Sequence, residues 1–386
     1  MSCRRPSSPS PVPVVPLEDD NLLDEILLRL PPQPPYLLRA SLVSKRWRRI
    51  ATDPQFLRRF HVHHRKPPVL GVFSCVGRKI SFTFRSTLDP PYRIPRDRFS
   101  LSMKVATVYD LLDCRHGRVL IINRDRRQVT VWDPITGDRS LVAVPPEFNN
   151  NHIGAVLCAA GDQGHVHGAC HSIPFKLVVL SSYEHGDEAG AFASVYSSET
   201  GVWSEFISIA LPQGDINFSG PGTLVGNTLY WLLRGSRTSI LEFDLDRQSL
   251  AVIKRPHSVD HSVQIIRAED GGLGLAILAC PRYHPLLQIW ERKINSYGAA
   301  IWVLRKTVEL EKILGLRFRI DKFRSAMVQY VEDVHAIVLL VHTSAFMVQL
   351  DSMQSREIHE HVRSYYHFTS FYTQGLEVPC SSLKQK

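Results

Sequence analysis

The chain has 386 residues, 44% of them hydrophobic and 22% charged, with 46 Lys and Arg against 37 Asp and Glu for a net charge of +9. That length predicts two or three domains with a substantial core, and the composition excludes a disordered or fibrous protein. The longest aliphatic run, Ala336 to Val341, is far short of the ~20 residues a bilayer span needs, and Met1 to Pro16 holds no apolar signal core, so a soluble, non-secreted protein with no membrane partner is expected.

Cys3, Cys75, Cys114, Cys158, Cys170, Cys280 and Cys380 are odd in number, scattered and free of any CxxC pair. That usage belongs to a reducing compartment, cytoplasm or nucleus, rather than to a disulfide framework. The charge is unevenly placed: residues 1–66 carry +6 of the +9, and the long remainder is nearly neutral.

In chain order, residues 1–16 contain five prolines among Ser and Arg and read as a disordered or polyproline leader. From Leu17 the pattern changes. Asp19 or Asp20 caps a helix whose apolar positions Leu22, Leu23, Ile26, Leu27 and Leu30 follow i, i+3, i+4 spacing, with acid near its positive end. Pro31, Pro32, Pro34 and Pro35 stop it. A second helix runs through Leu37, Leu38, Leu42 and Val43. Ser44 caps a third carrying Trp47, Ile50 and Ala51, and Asp53 followed by Pro54 opens a fourth with Phe56, Leu57 and Phe60. So small a helical cluster buries little surface, which predicts that a partner completes its exposed apolar face.

Leu17 through Pro31, followed by Leu42-Val43-Ser44-Lys45-Arg46-Trp47-Arg48-Arg49-Ile50, resembles an F-box: the helix-1 aliphatic stripe, the Leu-Pro stop and the V-x-K-x-W-R of helix 3 are all present. Ser44 stands where many members have Cys. The resemblance implies docking to the Skp-type adaptor of a cullin-RING (SCF) ubiquitin ligase, through Pro16, Leu17, Leu22, Ile26, Leu27, Leu30, Pro31, Val43, Lys45 and Trp47. Aliphatic anchors around one large aromatic suit a desolvated hot spot. Some of these residues, Trp47 and Leu27 above all, serve equally well as the module's own core. The basic run Lys45, Arg46, Arg48, Arg49 also suits a nucleic-acid patch. No helix-turn-helix, zinc-finger or RNA-binding signature accompanies it, so an acidic protein surface is the preferred complement.

Beyond Pro68 the helical period gives way to short alternating runs separated by Gly, Asp, Asn and Ser, the pattern of many antiparallel strands. Arg118 to Asn123, Gln128 to Asp133 and Arg139 to Val144 form one three-strand phrase. Thr228 to Leu233, Ser239 to Asp244 and Gln248 to Lys254 repeat it. Weak repeats at Trp132, Tyr196, Phe243, Trp290 and Gln349 recur at offsets of 64, 47, 47 and 59 residues, near the ~40–50 of propeller blades, which predicts six or seven blades of a degenerate, kelch-like β-propeller. The kelch double glycine occurs at Gly271-Gly272 alone. This half, and especially its tail from Phe346 to Met353 and Thr369 to Thr373, resembles the β-rich F-box-associated domains of the large plant families, in particular those of grasses. The resemblance implies a substrate-recognition domain without implying its target. Aromatic Tyr365, Tyr366, Phe368, Phe371 and Tyr372 are read as core, and loop tips such as Tyr183 to Gly190 or Arg234 to Thr238 as recognition surface.

Signals for chemistry are few. His165-Val166-His167-Gly168-Ala169-Cys170-His171 is the most ligand-like cluster, yet no further CxxC or HxH supplies a complete ligand set, so it reads as a polar strand and turn with no metal. His61, His63 and His64 read as an exposed basic face. Gly220 to Gly226 nearly makes a dinucleotide loop but reads as a turn before a strand. GxxxxGK[ST], GxSxG and HExxH are absent.

The expectation is therefore an α+β multidomain chain: a leader (1–16), an F-box with its following helix (17–66), a β-propeller-like recognition domain (67–380) and a tail (381–386). It would serve as the non-catalytic substrate-recognition subunit of an SCF ubiquitin ligase, with an unknown protein target and no cofactor. The alternatives are a non-degradative scaffold and a propeller enzyme with an appended helical module.

Overall fold

A computed structural model of the chain describes residues 19–76, 81–90, 92–101, 109–148, 152–160, 165–171, 173–212, 214, 217–234, 239–256, 262–279, 285–316, 325–341, 344–358 and 366–372. The chain divides into two compact units, Met1–Arg65 with Phe371–Lys386, and Lys66–Ser370. None of the described helices is long and apolar enough to cross a membrane.

Among the described residues the first unit holds four helices, α1 (Asp20–Leu28), α2 (Pro34–Val43), α3 (Lys45–Ala51) and α4 (Pro54–His64). Their starts are set by short polar side chains that satisfy the first free amides. Asp19 accepts from Asn21 N at 2.8 Å, Ser44 from Trp47 N at 3.2 Å, and Asp53 from Gln55 N at 2.8 Å. Leu23, Leu27, Leu37, Ala40, Ala51, Phe56 and Phe60 form the common core. His64 is half-buried rather than wholly exposed: its ring centroid lies 4.4 Å from that of Phe60, and burial, then His63, pushes its pKa down.

The second unit is an antiparallel β-propeller. Its described strands form six consecutive sheets. The first contains β1 (Val69–Val76) and β2 (Ser81–Ser86); the second β3 (Tyr109–Arg115), β4 (Arg118–Asn123), β5 (Gln128–Trp132) and β6 (Arg139–Ala143). The third contains β7 (His152–Cys158), β8 (Phe175–His185), β9 (Glu188–Ser197), β10 (Val202–Trp203) and β11 (Ile207–Ala210). The fourth has β12 (Asn217–Val225), β13 (Thr228–Arg234), β14 (Ser239–Asp244) and β15 (Ser249–Lys254). The fifth has β16 (Ser262–Arg267), β17 (Leu273–Ala279), β18 (Leu286–Ile294) and β19 (Ala300–Glu309), followed by α5 (Leu310–Leu314). The sixth has β20 (Ser325–Val331), β21 (Ala336–Val341), β22 (Ser344–Gln349) and β23 (Ser355–Ile358).

The last strand, β24 (Tyr366–Thr369), returns to pair with β1, so the first blade is built from both ends of the domain. Successive inner strands β24, β3, β7, β12, β16 and β20 touch one another. A hydrogen bond of 3.1 Å between His367 Nδ1 and Gln329 Oε1 joins β24 to β20 and completes the ring.

The middle of each blade is covered on both faces by its neighbours, which is why β4 and β17 are buried along their whole lengths instead of alternating, while outer strands such as β6 and β19 stay largely exposed. Leu120 and Val129 pack with Val156 and Leu177 between the second and third blades. Leu180 packs with Trp231 between the third and fourth, Ile240 with Ile277 between the fourth and fifth, and Leu278 with Ile337 between the fifth and sixth. The first blade is fastened by rings: Phe73, Phe84, Phe99 and Phe368 pack on one another in tilted and edge-to-face pairs, and Phe73 meets Trp132 of the second blade edge-on at 5.5 Å.

Gly220 to Gly226 lies mostly within β12 rather than ahead of a strand, and the ladder shifts register between Ser219 and Thr223. Glycine is needed there because a Cβ on Gly222 would sit 2.5 Å from the buried Trp231 ring. The expected Tyr183–Gly190 loop is mostly the β8–β9 hairpin, turning at Gly186-Asp187. Residues 235–238 of the other expected loop lie outside the described residues.

Candidate functional site

The helical unit carries two distinct apolar faces on α1. Leu23 and Leu27, one turn apart, are fully buried in the bundle. Leu22 and Ile26, also one turn apart, are 42% and 38% exposed. A four-residue step returns a side chain to the same face, so these pairs form parallel stripes about 100° apart, one packed inward and one facing water. At the end of α2, Leu42 and Val43 are 65% and 64% exposed.

The predicted docking residues are therefore placed differently from one another. Pro16 and Leu17 lie outside the described residues. Leu22, Ile26 and Val43 present surface, as do Pro31 at the helix stop and Lys45 at the start of α3. Leu27 is wholly interior and offers no surface in this structure. Leu30 and Trp47 are half-buried against the bundle core. Leu42 was absent from the predicted set. Its signal was its place beside Val43, since two successive apolar residues at a helix end cannot both face the same core.

The basic segment is answered in part within the unit itself. Arg46 Nε lies 2.5 Å and Arg49 Nη2 3.1 Å from the carboxylate of Asp20, so α3 is tied to the amino end of α1. Arg59 of α4 pairs with Asp24. Arg29 donates to Glu25 at 2.6 Å, and that hydrogen bond holds the Glu25 carboxyl below its ordinary pKa. These pairs are exposed and each is worth little in stability, but they turn two members of the Lys45–Arg49 run toward acidic partners in the same bundle. That pairing engages two of the run's four positive charges within the bundle and leaves Lys45 and Arg48 on the surface.

In the propeller a cluster of largely buried charges lies where the inner strands converge. Arg115 Nη2 donates to Gly222 O at 2.6 Å and meets Glu332 at 3.1 Å, with Asp113 at 3.6 Å from its Nε. Asp113 also accepts from Val156 N, and Glu332 from Leu224 N. Burial raises the pKa of Asp113 and, against the pull of Arg115, pushes Glu332 up to about 7. The space among these groups is about 30 Å³, enough for about one water and no substrate. The cluster joins the second, third, fourth and sixth blades and acts as a fastening.

The His165–His171 segment is a connection with turns, not the strand expected from sequence. His116, which occupies the tight β3–β4 turn with φ 54° ahead of Gly117 at 75°, stacks on His167 at 3.7 Å. Burial, followed by His167, holds His116 well below the ordinary histidine pKa and therefore neutral. His171 Nδ1 instead faces Asp133 at 2.7 Å. Cys158, seven residues before His165 and outside the clustered motif, is brought against it.

Comparison with known families accounts for both units. Residues 19–59 match the F-box domain. Residues 110–372, more than half of the chain, match the model described as "F-box protein AT5G49610-like, beta-propeller". The chain belongs to this F-box β-propeller family. Among relatives of this F-box protein, Arabidopsis thaliana F-box protein At5g03970 is 26% identical over 272 residues, covering 66% of this chain and 62% of that protein. F-box protein At3g26010 of the same plant is 28% identical over 213 residues, covering 55% of this chain and 48% of its own length. The match thus spans about half to three-fifths of those relatives. A fungal lectin, the six-bladed Aleuria aurantia lectin, aligns with 74% of this chain and 85% of its own at 13% identity and a TM-score of 0.38, a likeness that carries no argument.

Proposed function

We propose that this F-box protein is the substrate-receptor subunit of an SCF ubiquitin ligase, docking to a Skp-type adaptor and through it to cullin and RING subunits. The observation that carries the reading is the double face of α1. Leu23 and Leu27 already complete the bundle's core, so Leu22 and Ile26, with Leu42 and Val43, are apolar surface that the fold itself does not use. Apolar anchors of this kind, rimmed by charge, are what a protein interface needs at its centre.

The propeller then holds the target. Its contribution is effective concentration, since a tethered target meets the charged conjugating enzyme as an intramolecular event. The chain performs no bond-making step in this account, and its place is the cytoplasm or nucleus. The test is a reconstituted adaptor–cullin–RING assembly combined with proximity labelling in cells, using the full chain and a variant lacking residues 19–65. The reading predicts that proteins labelled by both forms accumulate when the F-box is missing and are ubiquitinated only with the full chain. Labelled partners whose abundance and ubiquitination ignore the F-box would instead support a non-degradative scaffold.

A further inference from the structure

We propose that Cys158, His165, His167 and Cys170 form a tetrahedral Zn²⁺ site that fastens the connection between β7 and β8 in the third blade. Cys158 ends β7 and β8 starts at Phe175, so residues 159–174 make a connection longer than most in compact domains. Within it the side chains converge. His165 Nε2 lies 3.4 Å from Cys158 Sγ and 3.2 Å from Cys170 Sγ, and Cys170 Sγ lies 3.7 Å from His167 Nδ1. The four donor atoms all fall within 4.8 Å of one another. Zinc bonds of about 2.0–2.1 Å to nitrogen and about 2.3 Å to sulfur place the corners of a tetrahedron about 3.3–3.8 Å apart. The three measured separations are nitrogen–sulfur edges, for which that geometry gives about 3.6 Å, and they lie within about 0.4 Å of it, a fit that small side-chain adjustments on binding would complete.

The donor set selects the ion. Two thiolates and two imidazoles in tetrahedral array suit Zn²⁺ over the hard, oxygen-seeking cations. With four protein ligands the site is closed and structural.

The surroundings hold the ligands in place before an ion arrives. Cys158 N donates to His116 Nδ1 at 3.2 Å, and the His116 ring stacks on His167. Arg118 donates to Cys170 O at 2.6 Å, and Ser370 Oγ donates to Gly168 O at 2.8 Å. Outer partners of this kind orient metal ligands in known sites. Cys158 and His167 also line a cleft of about 560 Å³, which supplies an entry path. Loading is a coordination step without redox change: Zn²⁺ binds two thiols and two neutral imidazoles, and the two thiol protons leave to solvent.

The test uses the full chain, purified under reducing conditions without chelator. One zinc per chain is expected by elemental analysis. Replacement by Co²⁺ should give a thiolate-to-cobalt charge-transfer band and tetrahedral ligand-field bands. Cys158→Ser with Cys170→Ser should lose the ion, whereas His171→Ala, whose ring faces Asp133, should keep it. A single-ligand variant, His165→Ala, should weaken binding by more than the roughly 10–100-fold that removing an outer partner costs. Wild-type melting supplies a reading that does not depend on the double variant folding: a strong chelator should lower it, and Zn²⁺ should restore it. Absence of stoichiometric zinc in the reduced wild type would overturn the proposal. So would an octahedral cobalt spectrum, zinc retained by the double variant, or a Cys158–Cys170 disulfide whose reduction leaves no zinc affinity.

Discussion

Phe368→Ala tests how the ring is closed. Phe368 sits on β24, the strand contributed by the far end of the domain, and is fully buried. Its ring centroid lies 5.5 Å from Phe73, 5.5 Å from Phe99 and 6.4 Å from Phe84. Truncation removes the buried ring and leaves a cavity among three others, at a cost of about 3–5 kcal/mol. Much of that arises because the neighbouring rings, held by their own strands, cannot collapse into the space. At about 2–4 °C per kcal/mol for a domain of this size, the melting temperature should fall by roughly 6–20 °C. Urea unfolding followed by tryptophan fluorescence reports on it directly, since Trp132 packs against Phe73 in the same cluster. Tyr297→Ala, at a side chain 92% exposed, should stay within about 0.5 kcal/mol of wild type. A loss below about 1 kcal/mol at Phe368 would mean that β24 does not close the ring as described.

Further predictions follow the same logic. The fold holds Glu332 at about 7 against an ordinary 4.5, so it favours the protonated form. That contribution to stability is present below the ordinary value and is lost as pH rises through 7, by an amount on the order of 3 kcal/mol. Glu332→Gln stays neutral, so its stability relative to wild type should improve between pH 5 and pH 8 in parallel urea titrations. A difference that does not change with pH would refute the assignment. Gly71→Ala places a Cβ 2.3 Å from the Arg85 carbonyl oxygen, a backbone atom that cannot rotate away, and should cost about 1–3 kcal/mol by thermal unfolding. Leu27→Ala, in the helical core, should destabilise the helical unit by about 2–5 kcal/mol in helix-monitored melting, whereas Ile26→Ala on the outer stripe should change it far less.

How much of this was legible in the sequence depends on whether the signal was local. The helix caps Ser44 and Asp53, and the first cap narrowed to Asp19 or Asp20, were readable because a short polar side chain and the amide it serves are two or three residues apart. The strands Arg118–Asn123 and Ser239–Asp244 were read with their observed limits, since turn residues bound them on both sides. The five repeat landmarks all fall on the third strand of a blade, β5, β9, β14, β18 and β22.

The first blade escaped because its strands come from opposite ends of the domain and leave no repeat of their own. On α1 the periodicity announced an amphipathic helix but could not separate Leu27, packed inside, from Ile26, facing out. That distinction depends on where α2 and α4 lie. The convergence of Cys158 on His165 was likewise out of reach, because it depends on how the β7–β8 connection folds back, and spacing alone supplied only part of a ligand set.

The central claim is that the outward stripe of the helical unit, and not its interior, binds an adaptor. The direct measurement is the affinity of the full chain for a purified Skp-type adaptor, by calorimetry, for wild type and for Leu22→Asp, Ile26→Asp and Val43→Asp combined. Helix content and melting are monitored on the same samples. The account predicts tight binding by wild type and a loss of at least a hundredfold, about 2.7 kcal/mol or more, in a triple variant that remains folded. Unchanged affinity in the folded variant, or no adaptor binding by wild type, would contradict it.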